Sequence, residues 1–479
     1  MASLPRPLEA IVAAEPPCYS QRLCSFYNSF YINALRRVGP RLLVVDVSRI
    51  PTASCIVSSL PIVRDVLDNG VRVLTERMTH VRSISIGVWL TRGSRDERAE
   101  HSGIAHFVEH MLFKGTGSRS AEDIAQAIDS IGGQLDAFTA KEYASYYIKV
   151  LDEHLPLALD VLSDIVLNPA LALEDVAKEK KVVLEEIKMV EDTPDDLVHE
   201  IFTQGFWADH PLGRPILGTP ETIEAFTPDV LRRYFVGAYA PNNLIVSAVG
   251  NLEHSKVRDL VEERFGTLRS RGELVPEVMP TVSPKVQIRS KELEQSHLCL
   301  GTDSYPQNHD DRYSSYVLNT LLGGSMSSRL FQNVREKRGL AYAVFSGLSA
   351  YRDAGSLTVY AGCASEAVGE VIDLVVEELR GVRQALVPAA ELQRAKDHLK
   401  GSLMLSLENT ASRMSHLARQ EIYFDRQFGL DETLQGIERV QPADVQRVAA
   451  DLFRNGSLSA TVLGNVNGLE IPRDRLDLG

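Results

Sequence analysis

The chain repeats itself at a distance, and that repeat limits what it can fold into. Val81-Arg82-Ser83-Ile84-Ser85-Ile86-Gly87 resembles Gln295-Ser296-His297-Leu298-Cys299-Leu300-Gly301. Pro228-Asp229-Val230 opens a helix, as does Pro442-Ala443-Asp444-Val445, and Leu244-Ile245-Val246-Ser247-Ala248-Val249-Gly250-Asn251 matches Leu458-Ser459-Ala460-Thr461-Val462-Leu463-Gly464-Asn465. Gly87 and Gly301, Pro228 and Pro442, and Gly250 and Gly464 are each 214 residues apart. Three matches at one spacing predict two domains of the same fold, each of roughly 200 residues, an ordinary domain size. The period is far too long for a solenoid. With 479 residues and 44% hydrophobic content, there is enough apolar material for two cores. The expected division is an N-terminal extension over 1–62, a first domain over 63–268, a linker over 269–286 and a second domain over 287–479. The linker is marked by Pro276, Pro280 and Pro284.

Strands are expected over 71–75, 84–90, 143–150 and 244–249, where β-branched and aromatic residues gather. Helices are expected over 121–131, 155–167, 174–190, 195–206 and 230–235. Short strands joined as hairpins beside long helices predict an α+β fold, with two homologous domains each built as a mainly antiparallel sheet with helices packed on it.

Inside the first domain lies the run His106-Phe107-Val108-Glu109-His110. Histidines four residues apart stand one above the other on a helix face, so both imidazoles reach one ion. Phe107, Val108, Met111, Leu112 and Phe113 around them are apolar, and burying two imidazoles and a carboxylate without partners is costly. A metal removes that cost; the alternative is two core histidines spaced four apart by accident. The order His-x-x-Glu-His is the inverse of the commoner His-Glu-x-x-His. A catalytic zinc takes three protein ligands and leaves a fourth position for water. The segment 174–189 has no Gly or Pro and is a strong helix former. In it Glu179 and Glu186 are seven apart, on one face with Val183 and Val190, which favours inward carboxylates. Glu185 and Lys188 read as a solvated face.

These residues resemble the pitrilysin, insulysin and mitochondrial processing peptidase family of zinc endopeptidases. Its signature is His-x-x-Glu-His followed by a glutamate about 76 residues on, and Glu186 lies 76 residues beyond His110. The matching surroundings are Gly103-Ile104-Ala105 before the motif, Met111-Leu112-Phe113-Lys114-Gly115-Thr116 after it, Glu185-Glu186-Ile187 and Glu191-Asp192-Thr193-Pro194. The resemblance implies one zinc held by His106, His110 and Glu186, with Glu109 as general base and Glu179 as the carboxylate that supports a ligand. It is closest to the processing-peptidase-like bacterial members. It also implies that Gln134, Leu135, Asp136, Ala137 and Phe138 form an edge strand to which substrate backbone adds. The family commonly has asparagine where Asp136 stands; the bland alternative is an ordinary hairpin after Gly132-Gly133. The second domain lacks the motif: its corresponding segment is Tyr316-Val317-Leu318-Asn319-Thr320-Leu321-Leu322-Gly323-Gly324. In the family an arginine and a tyrosine seven apart project from that domain toward the active site, and Arg335 and Tyr342 match. A phenol can donate to an oxyanion and a guanidinium can hold a peptide carbonyl. Without the resemblance, a surface arginine and a half-buried strand tyrosine is the simpler reading.

Composition closes off other functions. A formal net charge of −13 argues against nucleic acid, and no run of about eighteen apolar residues suggests a membrane span. Gly323-Gly324-Ser325-Met326 lacks the Gly-Lys-Ser/Thr ending of a phosphate-binding loop. Five cysteines without a Cys-x-x-Cys pair support neither a cysteine-zinc site nor a disulfide framework, and a reducing compartment follows. The bacterial cytoplasm is expected, or the mitochondrial matrix if the Arg-containing, lysine-free first sixty or so residues act as a presequence. Glu191, Asp192, Asp195, Asp196 and Glu200 either receive basic substrate side chains or complement a helix start. The expected function is a zinc metalloendopeptidase acting on peptides or unfolded protein, working as a homodimer. The alternatives are a catalytically silent partner or scaffold subunit and, more remotely, a small-molecule zinc hydrolase.

Overall fold

The computed structural model describes residues 62–269, 278–466 and 468–479; all of the expected N-terminal extension but Ile62, and residues 270–277 of the expected linker, lie outside the described residues. The first half contains β1 (Val63–Val66), β2 (Arg72–Arg77), β3 (Ser83–Leu90), α1 (Ile104–Leu112), α2 (Ala121–Asp129), β4 (Gln134–Thr139) and β5 (Ala144–Leu151). It continues with α3 (Leu155–Leu167), α4 (Leu173–Asp192), α5 (Pro194–Phe206), α6 (Pro220–Ala225), α7 (Pro228–Ala238), β6 (Leu244–Gly250) and α8 (His254–Phe265). The second half contains β7 (Val286–Ser290), β8 (Ser296–Ser304), α9 (Arg312–Leu322), β9 (Ala341–Ala350), β10 (Gly355–Cys363) and α10 (Val368–Gln384). After it come α11 (Ala389–Ser406), α12 (Thr410–Phe424), α13 (Leu430–Arg439), α14 (Pro442–Leu452) and β11 (Ser459–Gly464).

The two sheets are built alike. The first runs β1-β2-β6-β3-β5-β4 and the second β7-β11-β8-β10-β9, so they match strand for strand once β1 is set aside. Each has one parallel pair, β2 with β6 and β7 with β11; the other pairings are antiparallel. This is the α+β architecture that the strand and helix patterns predicted, present twice as the repeat required. The helix expected over 155–167 is α3, whereas α7 extends beyond the expected 230–235, starting at Pro228 behind the cap Thr227, whose hydroxyl accepts from Val230 N at 3.3 Å.

Each sheet is covered on both faces, and the second cover comes from the other half. In β3, Ile84, Ile86, Val88 and Leu90 join the core made with α1 and α3, as the two-residue period requires. The intervening residues face α12 of the second half. Ser85 Oγ bonds Thr410 Oγ1 at 2.8 Å, and Trp89 packs in a cluster with Met414, Leu417 and Ala418. In the second half, Cys299 of β8 and Leu463 of β11 pack under α5 of the first half with Leu197, Val198, Phe202 and Phe206. Helices α5 and α12 hold equivalent places in the two repeats, so the halves exchange helices reciprocally.

The repeated glycines have a physical reason here. A Cβ on Gly87 would stand 3.0 Å from Met414 Sδ, and one on Gly301 would stand 2.6 Å from Phe202 Cζ, so each glycine makes room for the crossing helix. Gly250 and Gly464, at φ +143° and +154°, end β6 and β11 against the starts of β3 and β8, where a Cβ would strike Ser83 O and Ser296 Oγ.

The hairpins β4–β5 and β9–β10 meet at their tips. Buried Arg95 bonds both Glu142 Oε1 and Asp353 Oδ1 at 2.7 Å, and Arg352 reaches Asp96 at 3.0 Å. Among the described residues no helix is long and apolar enough to cross a membrane.

Candidate metal centre

Helix α1 starts at Gly103, whose φ of +92° suits glycine alone without strain. Both oxygens of buried Glu97 accept there, from Gly103 N and Ala105 N at 2.8 Å each, which satisfies two first-turn N–H groups that have no helical partner. Burial pushes the Glu97 carboxyl up to about 8 against those two bonds. The helix then carries His106 and His110 one turn apart, their ring centroids 4.6 Å from each other.

Helix α4 lies across α1, its inward face formed by buried Val176, Glu179 and Val183 and, one turn on, Glu186. Glu186 Oε2 stands 3.7 Å from His106 Nε2 and 3.6 Å from His110 Nε2, with only 12%, 6% and 11% of the His106, His110 and Glu186 side chains exposed. Those separations are too long for hydrogen bonds. They do suit ligands around one ion: tetrahedral bonds of about 2.1 Å put ligand atoms about 3.4 Å apart. Two imidazole nitrogens and one carboxylate oxygen, within 4.8 Å of one another, are also the donor set of catalytic zinc sites, so the residues fit the ion that the sequence implied.

The surroundings prepare these groups. Burial beside His110 holds the His106 imidazole down to about 3, so its lone pair is available at neutral pH. For His110 burial works downward too, but Glu179, Glu186 and Glu109 outweigh it and raise the imidazole. Glu179 Oε2 bonds His110 Nδ1 at 3.0 Å, which turns Nε2 toward Glu186 and His106, and Glu179 Oε1 meets Lys114 Nζ at 2.7 Å. Despite burial, these two bonds keep the Glu179 carboxyl below its ordinary range.

Glu109 is buried, and burial pushes its carboxyl up to about 7, against the hydrogen bond that Thr139 Oγ1 donates to its Oε2. A carboxylate poised near neutrality is suited to moving protons. Thr139 ends β4, which is the outer strand of the first sheet. Along it Leu135 and Ala137 pack against the core, while Phe138 meets Trp89 edge-on at 5.7 Å. Gln134 and Asp136 are exposed, and Asp136 Oδ2 accepts from Tyr147 OH at 3.0 Å.

Arg335 lies near the end of a short π-helical turn, Phe331–Glu336, and Tyr342 is the second residue of β9, the outer strand of the second sheet. The guanidinium lies over the Tyr342 ring at 5.1 Å and the Phe331 ring at 4.7 Å, and Tyr342 is 77% exposed. The two lean on each other. In the acidic group Asp195 and Asp196 fall in the first turn of α5, where carboxylates complement the helix dipole, and Glu191 pairs with Arg289 at 2.9 Å.

The insulinase (peptidase family M16) model matches residues 72–220, and the peptidase M16 inactive-domain model matches residues 225–399. The uncharacterized zinc protease YmxG of Bacillus subtilis is 45% identical over 385 residues, which cover 80% of this chain and 94% of that protein. The chain belongs to the insulinase family. An uncharacterized zinc protease of Mycobacterium leprae is 42% identical over 411 residues, 85% of this chain and 92% of its own. A crystallised protease from Helicobacter pylori, 24% identical, shares the fold with a TM-score of 0.78 over 84% of this chain and 99% of that one. A peptidase M16 inactive domain from Pseudomonas fluorescens, 20% identical, shares it with a TM-score of 0.80 over 86% and 100%. The insulinase match spans His106, Glu109, His110, Glu179 and Glu186; the inactive-domain match spans Arg335 and Tyr342.

Three residues of the insulinase-type centre escaped the reading of the sequence. Lys114 stood inside the matching run without a role, although its place one turn beyond His110 was a signal. Thr139 gave none, because its contact to Glu109 arises only when segments 30 residues apart meet; Glu97 bonds N–H groups only six and eight residues ahead, but from a loop position that matches no capping pattern.

Proposed function

We propose that this chain is a zinc endopeptidase that cleaves peptides or unfolded polypeptide. The reading rests on one constellation: two imidazoles and a carboxylate spaced for one ion, with the buried carboxyl of Glu109 on the same helix face as His106 and His110. A zinc ion bound there supplies Lewis acidity toward a water molecule and a peptide carbonyl. Glu109 takes the proton from the attacking water and passes it to the leaving amine. Glu179 and Lys114 hold the His110 ring in its orientation. The substrate lies extended along β4 and pairs with its free edge through Gln134, Leu135, Asp136, Ala137 and Phe138. Arg335 and Tyr342 hold the carbonyl and donate to the developing oxyanion, once substrate draws them from their mutual stack. We further propose a homodimer in the bacterial cytoplasm; buried, unpaired Cys299 and Cys363 suit a reducing compartment.

The test is cleavage of a random peptide library by the purified full chain, with the products sequenced. Cleavage should stop with a chelator and return with zinc. Glu109→Gln should lower turnover by about 10²- to 10⁴-fold while zinc stays bound. Undiminished cleavage by Glu109→Gln, or by chelated protein with no zinc left, would reject the proposal.

A further inference from the structure

Thr139 joins two parts of the molecule that the proposed reaction must bring into register. It is the last residue of β4, and its hydroxyl donates to Oε2 of Glu109 in the middle of α1. Both side chains are buried, with residue exposures of 5% each. The preceding inward residues of the strand are Leu135 and Ala137, which pack on the core, so the next inward position would accept valine by shape alone. Threonine is not an isostere of valine in such a place, because a buried hydroxyl without a partner is destabilising. The Glu109 carboxylate gives this one its partner. A glutamate turns broadly about its last side-chain bond, and one fixed donor removes much of that freedom. Among the described residues no other hydrogen bond engages the Glu109 carboxylate, so Oε1 is the oxygen left for proton traffic.

We propose that Thr139 is a positioning residue: its hydroxyl pins one oxygen of Glu109 so that the other is presented to the attacking water. Because Thr139 also ends the strand that receives the substrate, one strand sets both the register of the scissile bond and the aim of the base. The proposal rests on the peptidase reading above, since it assigns Glu109 something to do.

Two substitutions at Thr139 test it. Thr139→Val keeps the shape and removes the hydroxyl; Thr139→Ser keeps the hydroxyl. With zinc content unchanged in both, Thr139→Val should lose about 10- to 100-fold in kcat with KM nearly unchanged, and Thr139→Ser should stay close to the wild type. A second readout needs no catalysis. In zinc-free protein, Thr139→Val should lower the Tm, and the drop should vanish when Glu109 is already leucine, because the interaction is then absent from both members of the pair. Wild-type kcat in Thr139→Val, an equal loss in Thr139→Ser, or the same Tm drop in both backgrounds would overturn the assignment. If the wild type cleaves no peptide, the peptidase reading fails by itself, and the Tm cycle still decides whether Thr139 holds Glu109.

Discussion

Helices α1 and α9 hold equivalent places in two copies of one fold, and only one of them carries residues of the candidate metal centre. Each follows the central strand of its sheet, β3 or β8, and each packs on a long helix, α4 or α11. In α9 the large buried side chains are Val317, Leu318, Leu321 and Leu322, and α11 buries Leu392, Ala395 and Lys396, whose ammonium donates to the Glu438 carbonyl at 2.7 Å. In α1 the same kind of apolar surroundings enclose Glu109 and His110, and α4 adds Glu179. Since α9 shows that the fold needs no such groups, their burial in α1 is a cost borne for something other than folding. The second copy thus acts as an internal control for the first.

The largest expected effect would break that comparison outright. His106→Ala or Glu186→Gln should abolish stoichiometric zinc binding while the circular dichroism of the fold persists, whereas Asn319→Ala on α9 should leave zinc untouched. Elemental analysis finding one zinc per chain in the first two variants would reject the site.

A second pair of substitutions compares the two exchanged helices. Phe202→Ala in α5 and Met414→Ala in α12 should each cost about 2–5 kcal/mol. Each loss should be felt across the boundary: hydrogen exchange should rise in β8 and β11 for Phe202→Ala, and in β3 and β6 for Met414→Ala. Extra exchange confined to the half that carries the substitution would mean that the exchange of helices stabilises nothing.

Finer discrimination comes from the groups behind the ligands. Glu179→Gln and Lys114→Met should weaken zinc binding by about 10- to 100-fold, with Lys114→Met at the lower end because its ammonium is partly exposed. Competition with a chromophoric chelator measures this, and wild-type affinity in Lys114→Met would remove that lysine from the support of His110.

The smallest effect is a pH dependence in α12. Burial, reinforced by Arg419 and Arg413, holds the His416 imidazole down to about 4. The folded chain therefore binds the neutral ring, and the unfolded chain takes up a proton below about pH 6.5. The stability involved is present above pH 6.5 and is lost as the pH falls from there toward 4. Thermal unfolding across that range should show His416→Gln with a flatter profile than the wild type, and parallel profiles would exclude the ring from the acid response.

Much of the site was legible because its signals are local or periodic. His106, Glu109 and His110 share one helix turn, Glu179 and Glu186 share one helix face, and the strands and helices follow their two periods closely. Much of what escaped depends on partners far along the chain. Thr139 meets Glu109 across 30 residues, and Arg95 meets Asp353 across 258. The repeat announced two like halves, yet it could not say that α5 leaves its own sheet, because an apolar helix face is compatible with either sheet. The stacking of Arg335 on Tyr342 was equally invisible: their spacing of seven is what the family resemblance used, and it carries no information on what each ring or guanidinium touches at rest.

The exchange of α5 and α12 also bears on how such a chain could arise and come apart. Two separate copies of the ancestral unit, each lending one helix to the other, would form the closed pair that domain swapping produces. Joining them end to end yields this molecule without remaking any contact. The same logic runs in reverse. Were the backbone severed between α8 and β7, neither fragment could leave with a complete sheet covering, because each would hold the helix that seals its partner. The peptide link between the halves sets their concentration near one another, while the swapped helices set their dependence on one another.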